Sequence, residues 1–350
     1  MMMRSSLGAL ACLGAASGAT MRASRIHAPI TYDDTSSVFV DEVDAPTAGE
    51  GEVVIRVLGS SVNPVDWKLA EQGVYAAPRP LGADVSGVVA ACAACARLRV
   101  GDAVWADVGY SGLYPGASGA GAWAEYVAAP EAVVARKPDS LSHAVAGAMP
   151  LVALTSFQAM KAAGAPWAGG GNVSVIVTSG DGGTGVLGVQ LAKKLGARAV
   201  RTCAAPEHVA YVAALLDATT DSVVDFTTAS VFDGVPDGSV DVVYDNYGAN
   251  GTAAVAMRAL RPGGWYVFLA GKDGGLCEPP ACMPKDGVHQ ISLWTDASGH
   301  DDLEAIAAIA DAHGLTVNLD SSFALEDAAQ AMSRSMTGEV LGKVAIAIGE

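Results

Sequence analysis

No stretch of this chain has the ~18 uninterrupted apolar residues of a membrane helix, so membrane insertion is not expected. Positive charge is scarce: 21 Lys and Arg stand against 37 Asp and Glu, a formal net charge of −16. Such a surface repels nucleic acid and anionic lipid, and no basic block offsets it. Cysteine is sparse, with six in 350 residues, too few for a disulfide framework. Cys92-Ala-Ala-Cys95 has the spacing of half a zinc or redox site. No second such pair and no HxxxH follows to complete about four tetrahedral ligands. The pair lies in an apolar run and reads as buried strand residues. Charged residues make up only 17%, against 51% hydrophobic, so a large core is expected and disorder is not.

The length suits two ordinary domains. The first twenty residues stand apart, with Arg4 their only charge and a short apolar stretch over 7–16. They read as a secretory signal or the first part of an organelle leader, and Arg22 and Arg25 favour the latter. The alternative is a disordered extension, with Met21 as the start. Residues 21–140 read as β-rich, with strands expected at 53–58, 85–95, 103–108 and 122–128. From 144 onward strands and helices alternate, which implies a parallel sheet with helices on both faces. Strands are expected at 173–178, 199–204, 240–245 and 265–270, and helices at 186–195, 207–216 and 252–260. Arg261-Pro262-Gly263-Gly264 reads as a stop. Two helices, 302–312 and 325–336, and a strand, 343–348, close the chain.

The strongest local feature is Ser179-Gly180-Asp181-Gly182-Gly183-Thr184-Gly185. Gly180, Gly182 and Gly185 have the G-x-G-x-x-G spacing, between an apolar strand and a helix, that lets a backbone approach a pyrophosphate. The helix N-terminus then offers free N–H groups to the phosphates. An NAD site usually carries an acid roughly 20 residues after the glycines. Here 201–206 holds none, which favours NADP(H). Arg201, Thr202, His208 and Tyr211 are candidate contacts for a 2′-phosphate, and Arg201 is equally readable as a solvated strand-end charge.

The order of further blocks resembles the medium-chain dehydrogenase/reductase superfamily, in its zinc-free quinone-oxidoreductase and enoyl-reductase-like branch. The resemblance begins at Met21-Arg-Ala23 and Gly51-Glu-Val-Val-Ile-Arg-Val57. It continues through Ser61-Val-Asn-Pro-Val-Asp-Trp-Lys68, Leu81-Gly-Ala-Asp-Val-Ser-Gly87, Val100-Gly-Asp-Ala-Val104 and Ala124-Glu-Tyr-Val127. Leu151-Val-Ala-Leu-Thr155, Gln190-Leu-Ala-Lys193, Leu260-Arg-Pro-Gly-Gly264 and Gly342-Lys343-Val344 complete it. It implies an α/β protein: a GroES-like, mostly β catalytic domain over 21–150 and 300–350, with an inserted Rossmann NADP(H)-binding domain over 151–299. It also implies a cleft between them, and dimers, which many family members form. The departures matter. The position of the family's zinc-binding His looks like Ala83, the preceding segment carries Asn63, Val65 and Asp66 but no Cys, and no metal site is expected.

By the resemblance, Asn63 lies beside the nicotinamide, Thr155 faces its carboxamide and Lys343 lies near the cleft. Tyr75 is a candidate donor to substrate, counted with Asn63 and Thr155 as catalytic. Asp66 and Asp84 read as structural supports and Tyr244 as core. Asn246, Gly248, Leu269, Ala270 and Gly271 end strands where cofactor contacts are expected. Gly183 and Thr184 complete the phosphate turn. Without zinc the simplest chemistry is hydride transfer from NADPH to a quinone or other conjugated carbonyl, a small molecule whose charge delocalises. An enoyl-thioester reductase and a non-catalytic NADPH-binding sensor are the alternatives. The segment 274–287, rich in Pro and Cys, matches no block and is a candidate pocket or dimer edge.

Overall fold

The computed structural model describes residues 19–74, 77–109, 121–167, 171–269 and 275–349. Residues 1–18 of the segment expected as a leader, Tyr75, Ala270 and Gly271 lie outside them, and Thr20 of that segment begins β1. The first unit runs β1 (Thr20–Ile26), β2 (Val38–Asp44), β3 (Glu52–Val62), α1 (Pro64–Glu71), β4 (Arg79–Pro80), β5 (Asp84–Ala93), β6 (Ala103–Asp107), β7 (Tyr126–Pro130) and β8 (Ala135–Arg136). Then α2 (His143–Ala146) and α3 (Pro150–Ala162) lead across to the second unit. That unit runs β9 (Ser174–Val177), α4 (Gly183–Lys194), β10 (Ala199–Ala204), α5 (Val209–Ala214), β11 (Ser222–Asp225), β12 (Val240–Asp245), α6 (Thr252–Ala259), β13 (Leu260–Leu269) and β14 (His289–Leu293). The chain ends with α7 (Asp301–His313), β15 (Leu319–Ala324), α8 (Ala328–Met336) and β16 (Lys343–Ala347).

The second unit is a six-stranded sheet in the order β11-β10-β9-β12-β13-β14. Every pairing is parallel. This is the doubly wound dinucleotide-binding order, with its switch point between β9 and β12. Parallel strands buried on both faces must be apolar throughout, which is why Val175, Ile176 and Val177 are all buried. One face packs on α3, α4 and α7 through Leu154, Met160, Leu187, Leu191, Leu303 and Ile306. On the other face, Met257 of α6 and the half-cystines Cys277 and Cys282 lie with Tyr266 and Phe268 in one core.

The first unit is a seven-stranded sheet, β15-β16-β3-β5-β6-β8 with β7 on β3, and a three-stranded sheet, β2-β1-β4. The closing strand β16 pairs antiparallel with β3, Val344 against Val62. Thus the C-terminus completes the N-terminal sheet, and the dinucleotide-binding unit is inserted between its parts.

The structure moves several expected features. Helix α7 packs in the core of the inserted unit, and Leu315 and Val317 follow it there. The return to the first unit therefore falls at 318–319 rather than 300. Helix α6 stops at Ala259, as expected ahead of Arg261-Pro262-Gly263-Gly264, but those residues lie inside β13 rather than before it, and the pairing of β13 with β12 carries a bulge after Val240. The cysteines also differ from expectation. Cys92 and Cys95 are half-buried and form a disulfide, and Cys277 and Cys282 form another. Both close loops too short to need a framework spread over the chain. Among the described residues no helix is long and apolar enough to cross a membrane.

Candidate active site

The glycine turn is built from below by β12. Asn246 accepts from the Ser179 N–H at 3.0 Å, donates to the Ser179 carbonyl at 2.7 Å, and donates to the Thr184 hydroxyl at 3.3 Å. A Cβ on Gly185 would lie 1.7 Å from the Ser179 carbonyl oxygen, and one on Gly180 would lie 2.5 Å from the Thr202 hydroxyl. These two glycines are forced by internal packing. Gly182 differs: its nearest neighbour would be the Ser179 hydroxyl at 3.9 Å. It caps α4, and no side chain bonds the helix N-terminus. The N–H groups at the start of α4 are therefore left to an anion, and the residues fit a dinucleotide pyrophosphate.

The C-terminal segment is stitched onto this turn. Gly342 donates its N–H to the Asp181 carbonyl at 2.8 Å, and Gly342 and Gly182 form an isolated parallel bridge. Gly342 has φ of +77°, and a Cβ there would meet the Asn318 carbonyl at 2.3 Å, so only glycine permits the approach. The stitch sets Lys343 against the turn: a Cβ on Gly183 would lie 2.8 Å from its Cδ.

Lys343 belongs to a buried polar cluster. Its Nζ donates to the Val62 carbonyl at 3.0 Å and to Asn63 Oδ1, and lies 3.5 Å from Asp84 Oδ2. Asp84 accepts from Ser61 at 2.6 Å, Asn63 Nδ2 at 2.7 Å and the Leu151 N–H, opening α3, at 2.7 Å. Asn63 caps α1 ahead of Pro64, and its own N–H donates to Asp66 at 2.6 Å. Asn63, Asp66 and Asp84 are fully buried. Burial draws Lys343 below the ordinary lysine pKa, opposed by the charges of Asp84 and Asp66. Burial also pushes Asp66 well above the carboxylate range, against the bond from the Asn63 N–H.

A carboxyl whose folded pKa is raised stabilises the fold below its unfolded pKa, and that stability is lost as pH rises through the folded value. The protein is therefore expected to lose thermal stability as pH climbs above the ordinary carboxylate range, and Asp66→Asn to flatten that slope. Unfolding scans of both proteins across pH check this; equal slopes would contradict the assignment.

Thr155 donates its hydroxyl to the Leu151 carbonyl at 2.6 Å and accepts from the Thr295 hydroxyl, just beyond β14, at 2.7 Å. Leu269, half-buried, ends β13 beside Leu293. Tyr244 is buried, its hydroxyl 3.4 Å from that of Ser156, and Gly248 turns the chain after β12 with φ of +78°.

The four residues expected at a 2′-phosphate have the following protein partners. Arg201 bonds the Val231 carbonyl at 2.6 Å and the Asp233 carbonyl at 2.9 Å. It lines a cavity of about 230 Å³ with Ser174, Ala199 and Ser222, which begin strands, at the amino edge of the sheet. Thr202 is buried and donates to the Val177 carbonyl at 2.8 Å. Tyr211 is half-buried on the α4 core and meets the Asn318 backbone. His208 faces Asp181, Nδ1 to Oδ2 3.0 Å. Sequence reasoning missed Asp181, Ser61, Thr295 and Asp245. An acid inside the glycine turn was the available signal for the first. Asp245, buried, accepts from Thr178 at 2.9 Å and Tyr266 at 2.8 Å and tightens the strand ends behind the turn.

Zinc does not fit this cluster. Ala83 is buried and offers no donor. Both Asp84 oxygens, Asp66 Oδ2 and Asn63 Oδ1 are committed to Lys343 and to N–H or O–H groups. No Cys or His belongs to the cluster as described. Among the described residues the group of three metal-capable side chains is His300, Asp301 and Glu304, at the start of α7.

Residues 49–139 match the alcohol dehydrogenase GroES-like domain, and residues 218–346 match the zinc-binding dehydrogenase family. A 2-methylene-furan-3-one reductase of Solanum lycopersicum is 35% identical over 69% of this chain and 61% of its own length. An NADPH-dependent alkenal/one oxidoreductase, chloroplastic, of Arabidopsis thaliana is 33% identical over the same shares. The chain thus spans about three fifths of these two relatives. The quinone oxidoreductase of Coxiella burnetii superposes with a TM-score of 0.78 at 22% identity, over 95% of this chain and all of that one.

Proposed function

The chain belongs to the medium-chain dehydrogenase/reductase superfamily, and from that premise we propose that it reduces a quinone or other conjugated carbonyl with a nicotinamide dinucleotide and no zinc. The observation that carries this is the stitch of Gly342 onto the phosphate turn, which sets the Lys343–Asn63–Asp84 cluster beside it; among the described residues no Cys or His joins that cluster. Bound at the turn, a reduced nicotinamide supplies a hydride to the acceptor. The relatives' names, a furanone reductase and an alkenal/one oxidoreductase, support a conjugated acceptor.

In such an acceptor the negative charge delocalises onto a carbonyl oxygen remote from the attacked carbon, and a proton from water completes the reduction. A strong Lewis acid is then unnecessary. Lys343 and Asp84 grip Asn63 at opposite ends of its amide and so fix its orientation. So held, the Asn63 amide is the group that the family resemblance sets beside the nicotinamide. Thr155 and Thr295 place paired hydroxyls beyond the carboxyl edge, where the nicotinamide carboxamide is expected. Starting α4, Gly183 and Thr184 present N–H groups to the pyrophosphate.

The reading is tested by loss of nicotinamide absorbance with a quinone, an enone and an enoyl thioester in turn, each with and without a chelator. Consumption of quinone or enone, unchanged by chelation, is expected. Nucleotide binding with none of the three consumed would sink it.

A further inference from the structure

The choice between NADH and NADPH is made at the adenosine ribose, and the inference here rests on the nucleotide reading just given. In dinucleotide-binding units an acid at the end of the second strand accepts from the ribose 2′-hydroxyl; an NADP site lacks it and supplies a cation. Strand β10 has no acid at its end. The glycine turn provides one instead.

Asp181 is the middle residue of Gly180-Asp181-Gly182 and is 9% exposed. Its Oδ2 accepts from the Ala205 N–H, the first residue beyond β10, at 2.8 Å. The same oxygen faces His208 Nδ1 at 3.0 Å, and Oδ1 takes the Ser179 hydroxyl at 3.1 Å. A carboxylate has about four lone-pair sites, so one remains for a ligand. The carboxylate is thus anchored at the strand end where a ribose-binding acid ordinarily stands, although it comes from a different part of the chain.

Among the described residues of β10, β11 and the segments that follow them, the surroundings are acidic. Asp225 ends β11 in register with Ala204, and Glu207 is exposed just beyond β10. Residues 202–216 and 222–230 contain no Lys or Arg. Arg201 is committed to the Val231 and Asp233 carbonyls. His208, the basic side chain that meets the carboxylate among the described residues, is held by it.

We infer that Asp181 is the residue that sets cofactor specificity: it accepts from the ribose 2′-hydroxyl, excludes a 2′-phosphate, and makes NADH the preferred reductant. This reverses the NADP(H) preference expected from the missing acid after β10, because the acid is supplied from the turn.

The test is calorimetric titration with ADP-ribose and with 2′-phospho-ADP-ribose, neither of which carries a nicotinamide. The wild type is expected to bind ADP-ribose about tenfold tighter or more, since like charges set against each other are costly. Asp181→Asn removes the charge and keeps an acceptor for the Ala205 N–H; Asp181→Ser removes both carboxylate oxygens. Each is expected to shift the affinity ratio about tenfold toward the phosphorylated fragment. Equal or tighter binding of 2′-phospho-ADP-ribose by the wild type overturns the assignment. So does an unmoved ratio in variants whose thermal unfolding matches the wild type. Binding of neither fragment removes the nucleotide reading and this inference with it, a result distinct from a reversed preference. If both variants fail to fold, the wild-type ratio still decides.

Discussion

Replacing Gly185 with alanine is expected to weaken nucleotide binding severely and to lower stability. The added Cβ would lie 1.7 Å from the Ser179 carbonyl oxygen and 3.0 Å from Asn246 Nδ2. Neither is free to swing away: one is backbone, and the other belongs to an amide held by three bonds to Ser179 and Thr184. The turn must open or α4 must move. Overpacking of this kind costs about 1–3 kcal/mol and often more. Affinity for ADP-ribose is expected to fall about 100-fold, because the start of α4 no longer faces the ligand. Gly182→Ala is the informative contrast. Its Cβ has open space, with nothing nearer than 3.9 Å, so the unfolding temperature should stay near wild type. The methyl would instead stand where the pyrophosphate must approach, and binding should weaken while the fold persists. Equal losses of stability in the two variants would contradict this division of labour.

The second large effect is expected at Lys343. Lys343→Met removes the positive partner of Asp84 and one of the bonds that orient Asn63. Breaking one side of a buried ion pair costs about 3–5 kcal/mol, because the remaining charge stays desolvated. Asp84 would retain the Ser61, Asn63 and Leu151 donors, so the loss should lie toward the lower end. Adding Asp84→Asn to Lys343→Met should recover much of it, since no unpaired charge is left at that pair. Denaturant unfolding of the two single variants and the double variant measures the coupling. Strict additivity would mean that Lys343 and Asp84 do not act as a pair.

Much of the fold was legible in the sequence because its parts repeat a strict pattern. Strands 199–204 and 240–245 coincide with β10 and β12, since strands buried on both faces must be apolar along their whole length. Other strands carried weaker signals. β2, with Asp41, Glu42 and Asp44, is half-exposed and too acidic to stand out, and β11 is four residues long. β14 contains His289, Gln290 and Ser292 and belongs to the sheet through its pairing with β13 rather than through its own composition. β15 holds Asp320, Ser321 and Ser322 for a similar reason.

At the site, the glycine turn and Asn63 were legible as residues, but their partners were not. Asn63, Asp84 and Lys343 are 21 and 259 residues apart in successive steps, and only the return of β16 onto β3 brings the last of them in. Chain order in related units places an acid for the ribose just after the second strand, whereas Asp181 reaches the end of β10 from the turn before α4. The cysteines misled for a like reason. Their number argued against a framework, but two pairs close locally at 3 and 5 residues, where no long-range topology is needed.

The central claim is that a dinucleotide bound at the glycine turn passes hydride to a conjugated carbon without a metal. The most direct measurement is single-turnover reduction of an enone by metal-depleted protein carrying a nicotinamide deuterated at its reactive position. The account predicts deuterium on the carbon β to the carbonyl, at a rate unchanged when zinc is restored. Deuterium on the carbonyl carbon, or turnover that appears only with zinc, would contradict it.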